Sequence, residues 1–274
     1  MRRSNAVRRP SALVAGLVGL LMAGGVPGLT ACGSGGPGQD AGAPPRPTGR
    51  GELAATVRTI PGTPSPAVRA ALPDLALYGE RDVIVPGRPA GSLLKATVRR
   101  VTDMKADTLY ADMYATAHRS APEPDVVDGS TLAVTVARSG APGSRLHTYR
   151  LPLPDDELDA FRDRNDSSGW PADAFAGPNR PYRPARLAVF ARPWPDASAA
   201  TRPWPLGDPT TGTETPEGTC TILTGTRLTR AERLATEAGP GVVWTYAGRR
   251  LQLTLRPLLP HERGCGDLGA GPPL

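Results

Sequence analysis

From about Tyr78 to Cys265 apolar and polar residues alternate over short runs cut by Gly, Pro and Asp. A period of two sets one side of an extended segment on a core and the other toward water, so the stretch reads as strands. Leu132, Val134 and Val136 point one way and Thr131, Ala133 and Thr135 the other. The run Leu146 to Leu151 follows across Ser139-Gly140-Ala141-Pro142-Gly143, a hairpin loop. A second hairpin rises from Val242 to Tyr246, turns at Ala247-Gly248, and returns with Leu251, Leu253 and Leu255 alternating with polar residues. Leu93 to Val101 and Leu187 to Phe190 are further strand candidates. Thr108 to Ala117 is ambiguous and is read as strand, because Leu109, Ala111, Met113 and Ala115 fall on one face of an extended chain.

Two helices interrupt this pattern. Thr229-Arg230-Ala231-Glu232 has capping-box spacing, Leu234, Ala235 and Ala238 give a narrow apolar face, and Gly239-Pro240 ends the run. The other helix begins at Pro154-Asp155-Asp156-Glu157, with acids at the positive end of its dipole and Leu158 and Phe161 facing inward. The expected fold is a β-rich α+β domain, an antiparallel sheet of hairpins with two or so short helices. No repeat with a period of tens of residues runs through the chain, which excludes a solenoid or propeller.

The amino terminus has the layout of a secretory signal: a basic stretch from Met1 to Pro10, then an uncharged apolar run from Ala12 to Ala23. That run is shorter than the roughly 20 residues a membrane-spanning helix needs. Leu29-Thr30-Ala31-Cys32 then resembles the lipobox of bacterial prolipoproteins, in which a branched apolar residue and two small residues precede the cysteine that opens the mature chain. The resemblance covers the first 32 residues. It implies a diacylglyceryl group on Cys32, cleavage before it, and anchorage at the outer face of the cytoplasmic membrane, with membrane lipid as a partner.

Residues 33–50 are mostly Gly and Pro with no large apolar side chain, and read as a flexible tether. The following stretch, 51–73, carries some apolar residues as well as prolines at 61, 64 and 66 and reads as partly ordered; the expected organisation is a signal at 1–31, the lipidated cysteine and Gly/Pro-rich tether at 32–73, a single domain at 74–268, and a disordered tail at 269–274.

The formal charge of +6 does not point to nucleic acid. Arg2, Arg3, Arg8 and Arg9 precede Cys32, and without them 28 basic side chains face 26 acidic ones, interspersed rather than clustered. Three cysteines leave an even pair once Cys32 is lipidated, so Cys220 and Cys265 are expected to form a disulfide closing a loop around the capped helix and the last hairpin.

Signals for catalysis are weak. Ser92-Leu93-Leu94-Lys95 has the S-x-x-K spacing of penicillin-binding proteins and β-lactamases, whose chemistry needs the pair on one helical face, whereas Leu93 opens a strand-like run. His118, His147 and His261 lie too far apart in sequence to suggest a metal site. Asp163, Asn165 and Ser167 have the early spacing of a calcium loop, but Ala174 stands at its twelfth position, and a helix end explains them. No cofactor and no metal are expected. Arg192-Pro193-Trp194-Pro195 is echoed ten residues on by Arg202-Pro203-Trp204-Pro205, offering Trp194 and Trp204 either as rigid anchors for a partner or as covers for a sheet edge. The resulting expectation is a membrane-anchored, non-catalytic envelope protein that binds another envelope protein or component. A small ligand-binding module serving a transporter, and then an anchored hydrolase, are the alternatives.

Overall fold

The computed structural model describes residues 42–268, apart from 64, 66, 67, 69, 120–129, 142 and 196–198. The signal segment, Cys32 and the tail at 269–274 lie outside the described residues. Within them the fold is β-rich α+β: a mixed sheet of thirteen mostly antiparallel strands with three α-helices.

In chain order the sheet begins with β1 (Leu53–Ile60), β2 (Leu75–Tyr78), β3 (Asp82–Ala90) and β4 (Leu93–Arg100). Helix α1 (Asp103–Ala117) leads to the hairpin β5 (Thr131–Ala137) and β6 (Leu146–Pro152), then to α2 (Asp155–Asn165) and the short β7 (Arg180–Pro181). The second half holds β8 (Arg186–Pro193), β9 (Thr201–Pro203), β10 (Thr213–Thr215), β11 (Gly218–Thr224), α3 (Gly225–Ala238), β12 (Val243–Tyr246) and β13 (Arg249–Pro257). The first half runs β4-β3-β2-β1-β5-β6 and the second β10-β11-β8-β13, with β12 and β9 beyond β13. The halves meet where β13 and β4 pair in parallel at a single register position, Leu255 with Leu93.

Alternation decides which side chains enter which layer. Leu132, Val134 and Val136 of β5 join Ala55 and Val57 of β1 under α1 and α2. Leu187, Val189 and Ala191 of β8 join Leu251, Leu253 and Leu255 of β13 under α3. The intervening residues Ala188 and Phe190 pack on the reverse face against Leu258 and Leu268, beyond the end of β13. Both hairpins form where the sequence places them. The turn at Ala247 and Gly248 is tight because both residues take positive φ, 46° and 76°.

Three expectations need correction. Thr108 to Ala117 is not a strand but most of α1: its buried residues Ala106, Leu109, Tyr110, Met113 and Ala117 follow the helical period, and Thr102 caps it by accepting the amide of Lys105. The capped helix begins earlier than the Thr229 to Glu232 box. Its first residue is Gly225, Thr229 turns its hydroxyl back to the Gly225 carbonyl, and Leu228, Ala231 and Ala235 form its buried stripe. Lastly, the stretch 32–73 is not tether throughout, since β1 is an interior strand of the first half, paired with both β2 and β5.

The segment preceding β1 is docked as well. Arg46 is buried, donating to Asp107 at 2.7 Å, to Asp103 at 3.1 Å and to the Gly79 carbonyl at 2.7 Å. Gly79 must lack a side chain because the chain at Thr48 and Gly49 crosses directly over it; a Cβ there would lie 2.3 Å from the Gly49 carbonyl oxygen.

Candidate functional site

A cleft opens where the two halves part. Beyond Leu93 the strands β4 and β13 separate, and β7 takes over as the neighbour of β4 at Thr97 and Val98. Helix α3 lies across the gap and leaves a cleft of about 760 Å³, within the usual range for small-molecule sites. Leu94, Pro181, Leu228 and Pro257 give it an apolar floor. Past Leu228 and Pro184 it continues toward Gly225 as a second space of about 660 Å³, lined there by Arg230 and by no acid.

The charged groups of the cleft come from three separate parts of the chain: Lys95 from β4, Arg183 from the segment after β7, and Glu232, Arg233 and Glu237 from α3. Burial pushes the Glu232 carboxyl above the ordinary carboxylate range, and the nearby charges of Lys95 and Arg183 pull it back only in part. Among the described residues no ion pair closer than 4 Å joins Glu232 to either cation, while Arg233 reaches Glu237 at 3.9 Å. Charges that face one another across open space without pairing remain available to a ligand.

The reverse face carries a second polar cluster. Arg256 and Glu262 form a bidentate pair at 2.8 Å for both bonds, with side chains only 1% and 6% exposed. Glu262 also accepts the Leu259 amide. Tyr78 hydroxyl lies 2.8 Å from His261 Nδ1, and Tyr182 donates to the Leu258 carbonyl. Burial raises the Tyr78 phenol well above its ordinary value and holds the His261 imidazole below its own. These bonds fasten the segment after β13 onto the sheet and are spent in doing so. A small cavity of about 120 Å³ beside them is lined by Thr148, Arg150 and Asp267.

The residues singled out from sequence fall as follows. Cys220 and Cys265 are bonded, with their Cα atoms 6.0 Å apart, which ties β11 to the chain end. Trp204 is buried at 3% exposure and meets Trp244 edge to face at 5.3 Å, so it is a core residue and not a surface anchor. Trp194 is half-buried, and its indole nitrogen is enclosed. The echo has a structural meaning: Trp194 donates its amide to Arg250 in β13 and Trp204 donates its own to Thr245 in β12, so the two Arg-Pro-Trp segments bracket the last hairpin from both sides. Ser92 has an enclosed hydroxyl with no partner, and Lys95 lies in the cleft on an extended strand, so the S-x-x-K spacing makes no nucleophile and base. His118 bonds the Tyr114 carbonyl and the Tyr149 hydroxyl, whereas His261 bonds the Tyr78 hydroxyl. Asn165 turns back to the Phe161 carbonyl, closing α2 rather than opening a calcium loop. No group of metal-ligating side chains forms among the described residues.

Comparison with family models, curated proteins and solved structures returns no match. The functional reading therefore rests on this chain alone. Arg183, Glu232 and Arg233 escape sequence reading because they share no local motif; Glu232 carries only the misleading signal of a capping box.

Proposed function

We propose that the protein is a bacterial lipoprotein, exported and cut before Cys32, held by lipid on that cysteine at the outer face of the cytoplasmic membrane, and serving there as a non-catalytic binding or accessory protein. The cysteine arrangement carries this reading: two of the three are bonded to each other and the third stands in the lipobox-like Leu29-Thr30-Ala31-Cys32. A structural disulfide belongs to an oxidising compartment, which agrees with export. Acyl chains on Cys32 add roughly 0.8 kcal/mol for each buried methylene, and two or more chains make release slow. Fractionation of the native host tests the anchor. Wild type is expected in the membrane fraction and Cys32→Ser in the soluble fraction; a membrane-bound Cys32→Ser chain defeats the proposal.

Binding is favoured by the cleft, where Lys95, Arg183 and Glu232 face one another without forming an ion pair. The cleft also favours the ligand-binding alternative over docking through the tryptophans, since Trp204 is core. Crosslinking of the lipidated protein in its host, followed by mass spectrometry, separates an envelope protein partner from a small ligand.

A further inference from the structure

We propose that the cleft between β4, β7 and α3 binds a single anionic amphiphile, its phosphate or carboxylate head held by Lys95 and Arg183 and its apolar body lying along Leu228 and Pro184. The proposal deepens the reading of the protein as a binding module but does not depend on its anchor.

Three observations carry it. The first is shape: the two spaces share Pro184, Leu228, Thr229 and Arg233, so they form one elongated channel rather than a round pocket. The second is charge. Lys95, Arg183, Arg230 and Arg233 line the channel against only Glu232 and Glu237, and Glu237 is already engaged by Arg233. The excess is positive, and electrostatic complementarity selects an anion. The third is the mixture of apolar floor and polar rim, which a simple inorganic anion leaves mostly unfilled.

Glu232 sets the pH response. Lys95 faces it from β4, Arg183 from the segment after β7, and Arg233 and Glu237 flank it on α3. As its carboxyl takes up a proton on acidification, a negative charge is lost from the channel, so a head group of fixed charge binds more tightly as pH falls.

The test is calorimetric titration of the purified full chain carrying Cys32→Ser with dodecyl phosphate below its micelle concentration, with inorganic phosphate and dodecyltrimethylammonium as controls. Dodecyl phosphate is expected to bind at least tenfold more tightly than either control. Lys95→Gln and Arg183→Gln are expected to weaken it about fivefold each, and Glu232→Gln to tighten it about threefold at pH 7.5, as removal of single charged contacts in partly exposed surroundings does. Unchanged melting temperatures of the variants separate lost binding from lost folding. Equal binding of the cationic amphiphile, equal binding of inorganic phosphate, no binding, or indifference to Lys95→Gln and Arg183→Gln each overturns the proposal. Flotation with phosphatidylglycerol vesicles but no binding of monomeric dodecyl phosphate overturns it too, because a membrane surface is then the ligand. A chain that binds dodecyl phosphate but fails to fractionate with membranes when wild type loses the anchor and keeps the cleft.

Discussion

An arginine fastens each end of the described fold, and the two are built differently. Arg46 holds the segment before β1, and its carboxylate partners Asp103 and Asp107 are 68% and 66% exposed. Arg256 holds the segment after β13, and both it and Glu262 are buried. At the first end, removing the arginine leaves carboxylates that water can rehydrate. At the second, it leaves a charge stranded on the reverse face of the sheet with no solvent to take over. The strength of an anchoring ion pair therefore depends on what is left behind when it breaks, not on its distance; both arginines have partners within 2.8 Å.

The sharpest way to break the comparison is Glu262→Ala. It strands Arg256 and frees the Leu259 amide, and is expected to cost about 3 to 5 kcal/mol of unfolding free energy by urea denaturation. Replacing both partners by leucine is expected to recover most of that loss, since a buried pair traded for apolar packing is often near neutral. A Glu262→Ala loss below about 1 kcal/mol would show the pair to be solvated after all. The disulfide comes next. Cys220 and Cys265 are 45 residues apart in sequence, and for that loop the chain-entropy model gives about 4 kcal/mol as an upper value, so a Cys220→Ala/Cys265→Ala chain is expected to lose about 2 to 4 kcal/mol.

Arg46→Ala is expected to do less, about 1 to 2 kcal/mol, because its carboxylates are open to water and the larger part of its loss is the Gly79 carbonyl contact. Its local effect is larger than its global one. The segment from 42 to 51 is expected to become open to trypsin at Arg50 while β1 and α1 stay folded. If Arg46→Ala and Glu262→Ala cost the same, the contrast between the two ends fails.

What was legible in the sequence follows the same contrast between local and distant causes. The hairpins β5-β6 and β12-β13 were readable because each alternation is complete within a few residues and each turn carries its own Gly or Pro. The window at 108–117 carries both the alternation of Leu109, Ala111, Met113 and Ala115 and the helical stripe of Leu109, Tyr110, Met113 and Ala117, and the cap at Thr102 that decides between them lies before it. A better signal was present: residues 92–121 contain neither proline nor glycine, which leaves room for a helix after the β4 run. Strand β1 was lost to the prolines that follow it, although Leu53, Ala55 and Val57 are all buried. Arg46 and the cleft had no local signal. Arg46 becomes buried through residues 33 to 61 positions away, and Lys95, Arg183 and Glu232 meet only because β4 and β13 part beneath α3.

The smallest predicted effect sharpens the comparison from the side of protons. His261 sits beside Glu262, with its Nδ1 2.8 Å from the Tyr78 hydroxyl, and burial keeps that phenol protonated far above neutral pH. Burial is the largest cause holding the imidazole below its ordinary value, with Arg256 adding to it and Glu262 and Asp267 opposing. The unfolded chain, whose histidine titrates near 6.5, therefore takes up the proton before the folded chain does. Between those two values the unfolded state binds more protons, so stability rises with pH. The contribution is complete above about pH 6.5 and is lost as pH falls toward the folded value. Urea midpoints from pH 5 to pH 8 are expected to drop on the acid side for wild type and to drop less for His261→Gln, which keeps a hydrogen-bonding group but cannot charge. The Arg46 end has no histidine among its partners, so Arg46→Ala is expected to leave the slope unchanged. Parallel slopes for wild type and His261→Gln would mean that the buried end is already open to water at neutral pH, and the distinction between the two arginine anchors would rest on Glu262 alone.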